Sequence, residues 1–133
     1  MHIRTLLFKP LFLFSFLFAF APLAQAEISA SDKIALKRTV VDYIALHTEA
    51  DRYHFTDPNT LEVKQLQFLA MHPVLFEKGD GSFALCADFA TDKNDKFLVD
   101  YHVTRVNNQY VVSAAVEGKR SLLMSIADKF SLE

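Results

Sequence analysis

The sequence predicts an α+β fold, in which one N-terminal helix packs against a four-stranded antiparallel meander. Apolar residues recur at helical spacing in segment 31–50, whereas they alternate with polar residues in four segments after residue 61. Short clusters rich in Gly, Asn and Asp separate the alternating segments, as hairpin turns require. Because such a sheet has one apolar face, the helix is expected to cover that face.

The predicted helix spans residues 31–50. Ser29 or Ser31 can cap its amino end, and Asp32 carries a negative charge where the helix dipole is positive. Its apolar positions form one broad stripe, made of Ile34, Val41, Ile44 and Thr48, with Leu36, Val40, Tyr43 and His47 beside them. Segment 52–59 is polar and contains an Asp-Pro-Asn sequence, which predicts a loop.

The first strand is predicted over residues 61–78, with a bend or bulge at Pro73. A helix over 60–70 is the alternative, because that part is poor in β-branched residues, but the continuous alternation favours the strand. The alternating residues of the four predicted strands are Leu66, Phe68, Ala70, His72, Val74 and Phe76, then Phe83, Leu85, Ala87 and Phe89, then Phe97, Val99, Tyr101 and Val103, and then Tyr110, Val112, Ala114 and Val116.

Three hairpin turns separate these strands. They are expected at Asp80-Gly81, over residues 91–96 and at Asn107-Asn108, because Asn, Asp and Gly tolerate positive φ. Gly118 is expected to end the fourth strand. Beyond it, Leu122, Leu123, Ile126 and Phe130 predict a short terminal helix, and a further strand over 119–130 is the alternative.

This order of elements resembles cystatin-type rolls and the related cone-shaped rolls of ketosteroid-isomerase-like domains. The resemblance lies in the element order alone, since no sequence motif of a named family accompanies it. It implies a curved sheet, and it leaves the function open, because such rolls carry many unrelated activities.

Residues 1–26 are organised like a secretory signal peptide. Arg4 and Lys9 give a positive start without acidic residues, a Phe/Leu-rich run follows, and an Ala-Gln-Ala sequence ends the segment. Cleavage there would leave one domain over residues 27–133, located in the periplasm or secreted. The alternative is an uncleaved segment that tethers the domain to a membrane. No later stretch reaches the roughly 18 apolar residues that a membrane span needs.

The composition limits the partners of the chain. Lys and Arg number 14 against 16 Asp and Glu, without a basic patch, so a nucleic-acid partner is not expected. Cys86 is the only cysteine, so no internal disulfide can form. The histidines after the leader, His47, His54, His72 and His102, lack zinc-site spacing, and segment 88–95 lacks the loop of a calcium site. We expect neither a metal nor another cofactor.

The residues between the apolar ones form the opposite face of the predicted sheet, and this face is mixed in character. Its polar members are Cys86, Asp88, Asp100, His102, Thr104, Ser113 and Glu117, with Ala84, Leu98, Val111 and Ala115 among them. A turn at Asn107-Asn108 predicts that Val106 lies opposite Gln109, His102 opposite Ser113, and Asp100 opposite Ala115. In the preceding hairpin, pairing of Phe97 with Phe89 would place Cys86 opposite Asp100. A few polar groups on an apolar floor are typical either of a half-solvated sheet or of a binding surface.

We therefore expect a noncatalytic exported domain that binds a small ligand or a protein partner through this face. The candidate ligand-binding residues are Cys86, Asp88, Asp100, His102 and Ser113. A homodimer formed through Leu98, Val111 and Ala115 is one form of this hypothesis. An inhibitor or accessory protein that acts through loops 52–59 or 79–82 is a further possibility.

The alternative class is a small hydrolase or isomerase. In that arrangement Asp100 orients His102, and His102 takes a proton from Ser113 or Cys86. The residue types suit a nucleophile, a base and an orienting acid. The surrounding sequence offers neither a strained turn for the nucleophile nor a Gly-rich loop for an oxyanion, so the noncatalytic hypothesis is favoured.

Overall fold

One helix and six strands make up the computed structural model of the protein, which describes residues 27–119. In chain order they are α1 (Ala30–Leu46), β1 (Thr48–Glu49), β2 (Arg52–Thr56), β3 (Val63–Glu77), β4 (Phe83–Ala90), β5 (Lys96–Val106) and β6 (Gln109–Glu117). The strands form one antiparallel sheet in chain order, so the α+β class is confirmed, with six strands where four were predicted. The predicted signal peptide (1–26) and the predicted terminal element (122–130) lie outside the described residues.

Helix α1 begins where the sequence predicts. Ser29 caps it, and the Ser29 Oγ atom accepts a hydrogen bond from the Asp32 N–H at 3.1 Å. The side that faces the sheet consists of Leu36, Val40 and Ile44. Ile34 and Val41, which the predicted stripe included, are exposed, so the buried stripe is narrower than predicted. Within residues 27–119, no helix is long and apolar enough to cross a membrane.

A hairpin that the sequence analysis missed follows the helix. Ala50 and Asp51 both adopt positive φ and turn the chain back, so β1 pairs with β2 in place of the predicted helix end and loop. Tyr53 and Phe55 are buried, while Arg52 and His54, which alternate with them, are partly exposed. The polar composition of segment 52–59 hid this alternation, which is only two aromatic residues long.

Strand β3 is long and bent, as predicted, but a bulge after Phe68 reverses the face on which the following residues lie. Its pairing with β4 shifts between Phe68 and Ala70 and again between Met71 and Leu75. An unpaired residue in a bulge changes which face the following residues share. Met71 and Leu75 therefore pack against the core, and His72 lies on the opposite face, beside Asp88. The alternation of the sequence predicts His72 on the apolar face just before Pro73, and this prediction was wrong because of the bulge after Phe68.

The pairing of β4 with β5 confirms the predicted register. Phe89 lies opposite Phe97, and Cys86 lies opposite Asp100. The two-residue turn at Asn107-Asn108 is also confirmed, since both residues have positive φ and β5 ends directly before them. The predicted alternation of β5 therefore holds from Phe97 to Val103.

A bulge in β6 overturns the register predicted beyond that turn. His102 lies opposite Ala114, and Ser113 is the additional residue of the bulge. As a consequence Ala115 packs against the core and does not face Asp100. The predicted pairs of His102 with Ser113 and of Asp100 with Ala115 were wrong, because counting back from a turn assumes that no residue is inserted.

The sheet curls around the core. The rings of Tyr53 on β2 and Tyr101 on β5 have centroids 6.4 Å apart, and those of Phe55 and Phe97 on the same two strands are 5.4 Å apart. In a flat sheet these strands would be separated by about 14 Å, at about 4.8 Å per strand. The core and the helix therefore fill the concave side, and the other face is the outer side of the sheet.

A polar cluster ties the start of the helix to the β5–β6 hairpin. The Tyr110 hydroxyl donates to Asp32 Oδ1 at 2.8 Å, and the Arg105 guanidinium donates to the Tyr110 hydroxyl at 3.0 Å. These contacts hold α1 on the core side. Among the described residues, no other helix lies over the sheet.

Candidate functional site

The candidate site is the sheet face that points away from the helix, which we call the second face. Its central side chains form three rows across the strands, which are Phe76, Ala84, His102 and Ala114, then Cys86, Asp100 and Val116, and then Ala70, Asp88 and Leu98. The sequence-predicted candidates Cys86, Asp88, Asp100 and His102 lie together here. Ser113 occupies the bulge, and Glu117 pairs with the core residue Val99, so its predicted place on this face was wrong.

Asp100 is the polar group at the centre of the second face. Burial raises the pKa of its carboxyl group, while a hydrogen bond from the Cys86 thiol and the nearby His102 and His72 act in the opposite direction. Its Oδ1 atom is buried, and no hydrogen bond reaches it from residues 27–119. The backbone of Gly118 closes one side, since a Cβ atom there would lie 2.7 Å from Oδ1. An unsatisfied buried acceptor of this kind costs about 1–3 kcal/mol.

Cys86 lies beside Asp100 and is only 2% exposed. Burial raises the pKa of its thiol, and the hydrogen bond to Asp100 and the charges of Asp100 and Asp88 raise it further, because they disfavour a thiolate. Since the thiolate is the nucleophilic form of cysteine, these surroundings keep Cys86 unreactive.

We expect Cys86 to react with a small maleimide more than about 100-fold more slowly in the folded protein than in urea, because labelling requires a local opening of the sheet. The rate is measured at neutral pH by mass spectrometry, and the reaction in urea supplies the rate of an accessible thiol. Rapid labelling of the folded protein would contradict the inert thiol and favour the catalytic alternative.

His102 is hydrogen-bonded to Lys78. The Lys78 Nζ atom lies 2.8 Å from the Nδ1 atom of His102. Because an ammonium group can only donate, Nδ1 is the acceptor and the ring proton resides on Nε2. Burial and then the positive charge of Lys78 lower the pKa of His102, while Asp100 and Asp80 act in the opposite direction. His102 is therefore neutral at pH 7.

His72 and Lys78 are members of the second face that sequence reasoning missed. His72 Nε2 lies 2.9 Å from Asp88 Oδ2, and both side chains are largely shielded. The position of His72 depends on the bulges of β3, for which the sequence carries no quantitative signal. Lys78 could have been predicted from the β3–β4 turn, which places it opposite Ser82. In the structure the Lys78 N–H donates to the Ser82 carbonyl at 2.8 Å, which continues the β3–β4 pairing by one residue.

Comparisons of the chain with protein-family models, with curated proteins and with solved structures found no match.

The hydrogen bonds of the described residues do not assemble a nucleophile, a base and an orienting acid. The Nδ1 atom of His102 accepts from Lys78, and no hydrogen bond within residues 27–119 joins it to Asp100. The Ser113 hydroxyl donates to the backbone carbonyl of His102 at 3.1 Å and is not aimed at the imidazole. The enzymatic alternative thus gains no support from this geometry.

The polar groups of the second face occur as pairs. In the described part of the chain, no group of three or more His, Cys, Asp or Glu side chains could hold a metal ion. The pairs are His72 with Asp88, Cys86 with Asp100, and Lys78 with His102. What this face offers chemically is a set of paired polar groups between apolar side chains, which suits recognition more than bond-breaking.

Proposed function

We propose that this chain is an exported, noncatalytic domain that binds a protein partner through the second face of its sheet. One observation supports this most strongly. Polar pairs centred on Asp100 lie partly buried among Ala84, Leu98 and Val116, although a purely solvated sheet face would leave its carboxylates in water. Interfaces combine such an apolar floor with a few polar groups.

The curvature of the sheet favours a protein over a small molecule. The contacts of Tyr53 with Tyr101 and of Phe55 with Phe97 curl the sheet toward the helix, so the second face is its outer side. Small ligands are usually bound in clefts that bury most of their surface, whereas an outer sheet face suits a broad contact. A second copy of the chain is one partner of this kind.

Export and the roll-like curvature belong to the same proposal. The charged start and apolar run of residues 1–26 support delivery to the periplasm or the exterior. The long bent strand β3 and the single helix on the concave side support the resemblance to cystatin-type and ketosteroid-isomerase-like rolls.

Site-directed photocrosslinking tests the proposed binding face. A benzoylphenylalanine residue is placed at position 111 or at position 41 of the full-length chain, and adducts are resolved after irradiation of intact cells. Val111 on the second face is 44% exposed, and Val41 on the outward side of α1 is 45% exposed, so the two positions are matched in accessibility. We expect adducts from position 111 and none from position 41.

The mass of the adduct identifies the binding partner. Twice the mass of the chain indicates a second copy, and any other discrete mass indicates a different protein. Adducts of equal yield from both positions, or from position 41 alone, would contradict binding through the second face. The absence of adducts at both positions would overturn the proposal that the partner is a protein.

A further inference from the structure

A lysine side chain crosses one end of the second face. Lys78 follows β3, whereas His102 lies on β5, so the 2.8 Å contact between Nζ and Nδ1 spans the intervening strand β4. The residues beneath this crossing are Ser82, which directly precedes β4, and Ala84 on β4; both are small and each is 7% exposed. The side chain of Lys78 therefore acts as a strap from the end of β3 to β5.

This contact can exist in only one protonation state of His102. Neutral His102 accepts the Lys78 proton at Nδ1, but the imidazolium form carries N–H donors on both nitrogens and has no acceptor. A proton taken up from water at Nδ1 therefore replaces an attractive hydrogen bond with two positive charges in contact. Lys78 must then move away.

The groups that face His102 determine the pH at which it gains this proton. Lys78 approaches from the end of β3, Asp80 from the β3–β4 turn and Asp100 from β5, whereas the neighbours on β4 and β6 are the uncharged Ala84 and Ala114. The two carboxylates favour protonation, but burial and the ammonium group oppose it and lower the pKa. The change therefore falls in mildly acidic solution, below the ordinary histidine value of about 6.5.

We propose that the Lys78–His102 hydrogen bond is an acid-sensitive latch across the second face. It holds the strap over Ser82 and Ala84 while His102 is neutral, and it opens when His102 gains a proton. Opening uncovers this end of the face on which the proposed function rests. The latch itself requires no partner, so it can be tested separately.

Nuclear magnetic resonance on protein purified from cells that express the full-length chain tests the latch. The His102 ring shifts and the contact between the Lys78 Hε and His102 Hε1 protons are followed from pH 8 to pH 4.5. We expect the contact to disappear with the same midpoint as the ring titration, and that midpoint to lie below the ordinary histidine value. In Lys78→Met, the midpoint of His102 should move upward, because the neighbouring positive charge is gone.

His102→Gln is the matched control, because its side-chain oxygen accepts from Lys78 but cannot be protonated in this range. The contact between residues 78 and 102 should persist in this variant at every pH. A contact that survives below the His102 midpoint in the unmodified protein, or an unchanged midpoint in Lys78→Met, would overturn the latch. Neither result depends on the crosslinking at position 111, so failure of the latch and failure of the proposed function are distinguishable.

Discussion

Replacing Phe89 with alanine should lower the free energy of unfolding by about 3–5 kcal/mol, the usual cost of deleting a buried aromatic side chain. Phe89 is fully buried, its ring stacks on Tyr53 at 4.9 Å, and it pairs across the sheet with Phe97. Because small domains are stable by only about 5–15 kcal/mol, the variant should be marginally folded. Urea unfolding followed by far-ultraviolet circular dichroism measures the loss.

Phe68 supplies the matched control for this prediction. It lies directly opposite Phe89, and its ring packs edge-on against the same ring at 5.6 Å, but it is 42% exposed. Phe68→Ala should cost about 1 kcal/mol, since the lost contribution is mainly one aromatic contact. Equal losses in the two variants would show that Phe89 does not lie at the centre of the core.

Alternation and turn chemistry were enough to predict the middle of the sheet. The Asn107-Asn108 turn, the antiparallel pairing of β4 with β5 and the contact of Cys86 with Asp100 all follow from the period of two and from residues that tolerate positive φ. These features depend on local sequence, and in β4 and β5 no insertion interrupts the register.

Bulges account for most of what the sequence did not predict. The shift after Phe68 moved His72 to the second face, and the bulge at Ser113 moved Ala115 to the core. A bulge is stabilised by its neighbours in the folded sheet, so a run of alternating residues does not record it. The β1–β2 hairpin was missed for a related reason, since its stability depends on packing of Tyr53 and Phe55 against distant strands.

The residues that belong to the candidate site were therefore predicted more accurately than the contacts between them. Asp100 and His102 share the expected face because they lie two residues apart on a regular strand. The partners that define their chemistry, Cys86 for Asp100 and Lys78 for His102, come from other elements. The strand register predicts the contact of Cys86 with Asp100. The contact of Lys78 with His102 depends instead on how far a long, flexible side chain reaches.

Gly118→Ala should destabilise the domain by about 1–3 kcal/mol, which is typical of a close-packed site that must accept an additional methyl group. The new Cβ atom would lie 2.7 Å from Asp100 Oδ1 and 2.8 Å from two carbon atoms of Leu98. The backbone cannot retreat easily, because the Gly118 N–H donates to the Leu98 carbonyl at 2.8 Å. The two side chains must therefore shift, and both belong to the second face. Urea unfolding measures the cost, and faster maleimide labelling of Cys86 reports the disturbed neighbour of Asp100.

Two further variants show whether the loss at Gly118 comes from this close approach. Gly79→Ala should change stability by less than about 0.5 kcal/mol, because a Cβ atom there meets nothing within 4 Å.

Leu98→Ala removes two of the three atoms that the new Cβ at position 118 would contact. Gly118→Ala should therefore cost less in that background than in the unmodified protein, giving a coupling energy of about 0.5–3 kcal/mol. An additive double variant would mean that Gly118 is required for another reason and that its backbone does not confine Asp100. In that case the buried Oδ1 atom would have room to meet a partner directly, and Asp100 would be better regarded as a contact residue than as a support for the second face.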